Sequence, residues 1–246
     1  MINPSSPAPK PAAPAGRSYK YLPLVTAVFV TALIVSNIIA VKLITLGPLQ
    51  VSGAFVIFSI SYIFGDVLTE VYGYARSRQV IWIGFACNLL AVIAITLAGW
   101  LPPPANWTLG YGTAAEAQTA YTNILGSTPL ILVASLLAYL VGEFLNSFVV
   151  AKLKIATRGR WLWVRTIGST LVAQVADTGI FVTIMVLGGL YASTDMLIII
   201  GSEWLSKVVY EILATPVTYR VVNFLKRAEQ EDYYDYNTDF NPLTLG

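Results

Sequence analysis

Histidine is absent from this 246-residue chain, and cysteine occurs once. The first absence excludes Ser-His and Cys-His nucleophilic sites, His-ligated haem and the usual zinc sites. Cys87 stands alone in an apolar run, so neither an internal disulfide nor a thiolate cluster can form. Charge is scarce too. Only 11% of the residues are charged, against about 25% in an ordinary soluble domain. By contrast, 56% belong to the set Ala, Val, Ile, Leu, Met, Phe, Trp, Tyr and Cys, and mean hydropathy is +0.68. Such a chain is not a disordered protein, a secreted disulfide scaffold or a soluble nucleic-acid binder. It reads as an all-α, polytopic membrane protein of one domain.

A bilayer core needs about 20 apolar residues per helix. Six stretches qualify: 22–46, 51–74, 80–100, 128–151, 166–191 and 196–219. The basic residues follow the same division. Lys10, Arg17 and Lys20 precede the first span, and Arg76 and Arg78 lie between the second and third. Lys152, Lys154, Arg158, Arg160 and Arg165 lie between the fourth and fifth, and Arg220, Lys226 and Arg227 follow the sixth. Lys42 and Lys207 fall inside spans, and the other three loops hold none. This positive-inside bias predicts six spans with both termini in the cytoplasm. Residues 1–20, rich in Pro, Ala and Ser, read as a disordered leader rather than a signal peptide. The transmembrane domain then covers 21–227, and 228–246 form a cytoplasmic tail expected to be solvated. The 101–127 loop faces outward, with Trp100, Trp107 and Tyr111 as interfacial aromatics.

Ionisable groups inside spans are expensive, roughly 2.5–3.5 kcal/mol each at the helix centre on the insertion scale. This chain carries many, with three amides beside them: Asn37 and Lys42 in span one, Asp66 and Glu70 in span two, Glu143 and Asn146 in span four, Gln174 and Asp177 in span five, and Glu203, Lys207 and Glu211 in span six. Tyr62, Asp66 and Glu70 share one helix face, as do Tyr139, Glu143 and Ser147. Glu203, Lys207 and Glu211 form an acid–base–acid ladder. Six span acids outnumber two span bases, which predicts a polar cavity inside the bundle that prefers hydrogen-bond donors or cations. Helix–helix glue is the alternative role for Asn37 and Gln174, snorkelling for Lys42, and internal pairing for the ladder. A faint echo links Gly65-Asp66-Val67-Leu68 to Gly142-Glu143-Phe144-Leu145.

The stretch Phe64-Gly65-Asp66-Val67-Leu68-Thr69-Glu70-Val71-Tyr72-Gly73-Tyr74-Ala75-Arg76 resembles the signature of the queuosine precursor transporter family, also called the vitamin uptake transporter family. Ser36-Asn37-Ile38-Ile39-Ala40-Val41-Lys42, Glu143-Phe144-Leu145-Asn146-Ser147 and Arg165-Thr166-Ile167-Gly168-Ser169-Thr170 agree with it. So do Asp177, Lys207-Val208-Val209-Tyr210-Glu211 and the tail segment Thr238-Asp239-Phe240-Asn241-Pro242. Gln174 departs from the resemblance, which implies Gly or a small polar residue there. The resemblance implies six helices like those of the substrate-binding components of energy-coupling-factor transporters. It also implies uptake of the 7-deazaguanine bases preQ0 and preQ1 across a bacterial inner membrane, with no dedicated ATPase. The chain has no Walker motif.

A 7-deazaguanine presents adjacent N–H and NH₂ donors that one carboxylate can accept, and a carbonyl that needs a donor. On this reading Asp66, Glu70, Glu143, Asn146 and Asp177 line the site, with Gln174, Asn37 and Lys207 contributing. Glu203, Glu211 and Lys42 gate or pair. No cofactor or metal and no nucleic-acid partner is expected. The partners are the small-molecule base, the bilayer and potentially a second copy of the chain. Three other readings stay open at this point: a binding subunit docking a partner through Ala32 or Gly188-Gly189, a carrier of another planar solute, and an intramembrane aspartyl protease using Asp66 and Asp177. The last lacks the Gly-x-Gly-Asp and Tyr-Asp motifs, having Ile63 and Ala176 instead.

Overall fold

The computed structural model describes residues 18–39, 42–46, 49–126, 129–189 and 192–244. Nearly all of the expected leader lies outside them. The elements in chain order are α1 (Leu22–Ile39), β1 (Leu43–Leu46), β2 (Leu49–Ser52), α2 (Phe55–Tyr72), α3 (Tyr74–Trp100), α4 (Ala114–Leu125), α5 (Pro129–Ala156), α6 (Leu162–Leu187), a 3-10 turn (Ser193–Asp195) and α7 (Met196–Glu229). Each expected span carries a helix. Four of them, α1, α3, α5 from Val133 onward, and α6, are long and apolar enough to cross a membrane.

The bounds differ from the expected ones in an instructive way. Span one is cut short: the helix ends at Ile39, and β1 and β2 pair as an antiparallel hairpin. The β-branched, apolar run there suits a strand as well as a helix. Elsewhere the helices run past their apolar stretches. Helix α5 continues through Lys154, α6 begins before Arg165, and α7 continues through Lys226 and Arg227. Hydropathy sees only the part of a helix matched to hydrocarbon, whereas the backbone ladder needs no apolar side chain to continue. The 101–127 loop also holds a helix. Thr113 caps α4 by accepting from the Glu116 backbone N–H (3.2 Å), and Glu116 reaches back to the Gly112 N–H (2.9 Å). This reciprocal arrangement resembles a capping box, legible as Thr113-Ala114-Ala115-Glu116.

Helix α2 is the hub, packing on α1, α3, α5 and α7, while α6 lies between α5 and α7. Its buried side chains Ile63, Val67, Leu68 and Val71 meet Phe29 and Leu33 of α1, Ile81 of α3 and Tyr139 of α5. Large apolar residues also cover the outside: Leu24, Leu90, Leu97, Leu197 and Leu213 are more than half exposed. Polar groups sit inside and bare aliphatic groups outside, the distribution that a lipid solvent favours.

The tail departs most from expectation. Residues 229–242 form a strap folded back over one end of the bundle. Glu229 accepts from the backbone N–H groups of Lys20 (3.0 Å) and Tyr21 (2.6 Å) and from the Tyr72 hydroxyl (3.2 Å). Both carboxylate oxygens of Asp235 accept from the Tyr74 N–H at 3.1 Å, capping α3. Arg78 donates to the carbonyls of Asp239 (2.8 Å) and Asn241 (2.7 Å), and Trp82 to that of Pro242 (2.8 Å). The solvated tail is therefore corrected: Glu229, Glu231 and Asp235 are buried. Glu229 and Asp235 find donors at helix ends, and Glu231 accepts from the Tyr19 hydroxyl and the Asp232 N–H, so burial leaves none of the three without a partner. Gly73, alone between α2 and α3, has φ +84°, and a Cβ there would strike the Tyr233 ring.

Candidate functional site

The interior polar groups form three successive layers, each assembled from different helices. At the strap end, Glu70 of α2 is fully buried. Arg165 of α6 grips it with two parallel bonds, Nε to Oε2 and Nη2 to Oε1, both 2.8 Å. Such a fork is among the stronger side-chain pairings. Lys226 of α7 adds a 2.6 Å bond to Oε1, and Lys154 of α5 lies 3.6 Å from it. Lys154 also donates to the Glu70 carbonyl (2.5 Å), to Asp232 of the strap (2.6 Å) and to the Tyr233 carbonyl (2.7 Å). Lys226 contacts Asp232 at 2.8 Å. Burial works against charge on Asp232, but the ammonium groups of Lys154 and Lys226 outweigh it and hold its carboxyl below the ordinary range. Four helices and the strap are thus tied by three cations and two acids.

One turn away on α2, the second layer surrounds Asp66. Its Oδ1 accepts from Asn146 Nδ2 of α5 (2.7 Å) and Ser169 Oγ of α6 (3.5 Å). Its electrostatic neighbours are the carboxyl groups of Glu211 on α7, Glu143 on α5 and Glu70. Asp66, Glu143, Asn146, Gln174 and Glu211 are each at most 2% exposed. In this layer Asp66 Oδ2, Glu143 Oε2, Asn146 Oδ1, Gln174 Oε1, Glu211 Oε1 and the Thr170 hydroxyl have no hydrogen-bond partner among the described residues. The two amide oxygens only accept, and the three carboxyl oxygens accept whenever they are ionised. A buried acceptor without a donor loses about 1–3 kcal/mol, so the layer is complementary to something that donates.

The two glycines of the sequence echo bring the layers together. A Cβ on Gly65 would come within 2.9 Å of Glu143 Oε2, and one on Gly142 within 3.0 Å of Asp177 Cβ. Each glycine makes room for the acid of the next helix, so the echo has a packing counterpart.

In the third layer Lys207 of α7 donates to Asp177 Oδ2 (2.8 Å) and Thr178 Oγ1 (3.2 Å) of α6. The Lys207 side chain is 20% exposed and that of Asp177 8%, so this layer is more open than the one around Asp66. Glu203 is an electrostatic neighbour of Lys207 and Asp177. Tyr62 stands near Asp177, Glu143 and Gln174.

The structure therefore brings Asp66, Glu143, Asn146, Gln174 and Glu211 together, with Asp177, Lys207 and Glu203 adjoining. It sets three expected site residues apart. Glu70 is held among cations. Asn37 donates to Asn88 Oδ1 of α3 at 3.1 Å, bridging α1 to α3 away from the acids. Lys42 is exposed beyond the end of α1, where its carbonyl accepts from Gly53. The Asp66–Asp177 dyad is corrected as well. Asp177 is paired to Lys207 on a different layer, and the carboxyls facing Asp66 are Glu211, Glu143 and Glu70. Sequence reasoning missed Lys154, Arg165, Lys226 and Asp232 because each was read as solvated. One signal was present: Arg165, Ser169, Ala173 and Asp177 recur at four-residue steps and so share one face of α6.

No solved structure matches this chain. A family model described as "Putative vitamin uptake transporter" matches residues 52–221, the segment holding the second and third layers and, of the first, Glu70, Lys154 and Arg165. A curated relative from Bacillus subtilis (strain 168), named "Probable queuosine precursor transporter", is 30% identical over 200 residues, which is 81% of this chain and 83% of that protein. The polar interior, the lipid-suited exterior and these likenesses agree: the chain is a multi-pass membrane transport protein rather than an enzyme, and belongs to the vitamin uptake transporter family.

Proposed function

We propose that this protein is an uptake carrier for the 7-deazaguanine precursors of queuosine, preQ0 and preQ1, in the inner membrane of a bacterium. The observation that carries the reading is the set of five unpartnered acceptor oxygens around Asp66. A 7-deazaguanine offers three donor groups: the N–H and NH₂ of the pyrimidine edge and the pyrrole N–H. Asp66, Glu143 or Glu211 would take the paired donors, and the amide oxygens of Asn146 and Gln174 the pyrrole N–H. The Thr170 hydroxyl would donate to the ring carbonyl. A site that satisfies its buried acceptors only with the right ligand discriminates strongly against analogues lacking those donors.

On this reading α1, α2, α3, α5, α6 and α7 all cross the membrane. Of the two polar members, α2 is enclosed by α1, α3, α5 and α7, and α7 turns Glu211 and Lys207 toward its neighbours while Leu197 and Leu213 face outward. The described ends of the chain meet, Tyr19 donating to Glu231 at 3.1 Å, which fits an even number of crossings. Basic residues gather at that end, which fits a cytoplasmic location for both termini. The Glu70 cluster and the strap would then close the cytoplasmic side, and Lys207–Asp177 would face the outer approach. Glu70, saturated by cations, would tie helices together instead of touching the base. The six helices would resemble those of energy-coupling-factor substrate-binding components.

The test is uptake by cells that cannot make queuosine precursors and express this chain alone. Queuosine should return to their tRNA after feeding with preQ0 or preQ1, and Asp66→Asn should abolish the return. No restoration, with the protein verified in the membrane, would sink the solitary-carrier reading.

A further inference from the structure

We infer that the Asp66 layer is built for a cationic substituent on the base, so that the carrier prefers the aminomethyl form, preQ1, over the nitrile form, preQ0. The inference rests on the reading that the cargo is a 7-deazaguanine. The two bases share a ring and differ in one group. A protonated aminomethyl group carries three N–H donors and a positive charge. A nitrile has a lone pair to accept with and nothing to donate.

The protein side is lopsided in the same terms. Asp66, Glu143, Asp177 and Glu211 place four buried carboxyl groups in the second and third layers. Lys207 is the basic residue among them, and it lies against Asp177. The ring's paired N–H and NH₂ donors would engage one more carboxyl. That leaves two of the four for the substituent, and a positive charge placed there would be met from more than one helix. A buried charge is stable when paired and costly when not, so a neutral substituent leaves these acids uncompensated.

Two amide oxygens extend the argument beyond charge. Asn146 Oδ1 and Gln174 Oε1 are buried and lack donors. Unlike the carboxyl oxygens, they stay acceptors at any pH, so they call for a donor whatever the charge on the acids. Asn146 Nδ2 already serves Asp66 Oδ1 and Lys207 Nζ serves Asp177 and Thr178, while the Thr170 hydroxyl is assigned to the ring carbonyl. A nitrile brought into this layer would meet acceptors; an ammonium group would satisfy them.

The experiment is equilibrium binding by the full-length protein in lipid nanodiscs, with a cooperative thermal transition confirming that it is folded. The probes are preQ1, preQ0 and 7-methyl-7-deazaguanine, which keeps the ring and lacks the amine. PreQ1 should bind tighter than either by about tenfold or more, equivalent to about 1.4 kcal/mol. In Glu143→Gln or in Glu211→Gln, the lead of preQ1 over the methyl compound should shrink. Binding of preQ0 or the methyl compound as tightly as preQ1 would overturn the inference and leave the 7-deazaguanine reading standing. Failure of all three to bind would instead remove that reading, and the inference with it.

Discussion

Asp66 and Glu70 stand one turn apart on the same face of α2, both buried, both acids, and their surroundings are opposite. Glu70 is held by Arg165, Lys226 and Lys154. Asp66 has one oxygen held by neutral groups, Asn146 and Ser169, and one oxygen with no partner. The same carboxyl chemistry on the same helix thus serves as a structural tie in one place and as an open acceptor in the next. Neither the helix nor the spacing makes that difference. Side chains arriving from α5, α6 and α7 make it.

The comparison is most directly broken by removing each acid. Glu70→Ala should destabilise the protein by about 3–5 kcal/mol, because it strands buried cations. The readout is thermal unfolding in detergent and abundance in the membrane. Asp66→Asn should leave stability within about 1 kcal/mol, since its amide oxygen can still accept from Asn146. Uptake should nonetheless fall at least about tenfold, a difference of about 1.4 kcal/mol. If Asp66→Asn proved as destabilising as Glu70→Ala, the contrast between the two layers would be wrong.

A smaller effect is expected where the strap meets the bundle. Gly73→Ala forces a side chain into the left-handed backbone region and against Tyr233. It should lower stability by about 1–2 kcal/mol and expose residues 230–242 to protease. The smallest effect concerns Asp232. Its carboxyl is held below the ordinary value of 3.8, with burial opposing and Lys154 and Lys226 favouring the charge. An acid with a depressed folded-state pKa adds stability above its unfolded value and loses that contribution as pH falls through the folded one. Protection of the strap by Asp232 should therefore hold from neutral pH to about 4 and fade only below it. Loss of protection between pH 5 and 7 would contradict this assignment.

Much of the candidate site was legible before any coordinates. Asp66, Glu143, Asn146 and Glu211 stand out because polar groups in apolar runs are conspicuous, and helical spacing puts them on inward faces. The three residues that fall elsewhere had weaker warrants. Asn37 is polar in an apolar run, but that cannot distinguish a bond to Asn88 from a bond to a ligand. Lys42 was placed in a helix because a β-branched apolar run fits helix and strand alike. Glu70 was grouped with Asp66 by periodicity, which reports a shared face and nothing about what faces it. The strap was illegible for a related reason: a mixture of acids and tyrosines has no period, and only a matching surface of helix ends and glycines can order it.

Composition and the placement of charge, read along the chain alone, determine that this is a helical membrane protein with acids inside. Those properties follow from the solvent, because lipid demands satisfied backbones and apolar exteriors whatever the fold. Which acids are neutralised and which stay open was decided only by the tertiary structure. A charge pair depends on a few ångströms between residues up to 156 positions apart, as Lys226 and Glu70 are. Distance in sequence carries no information about that separation until the helices are packed.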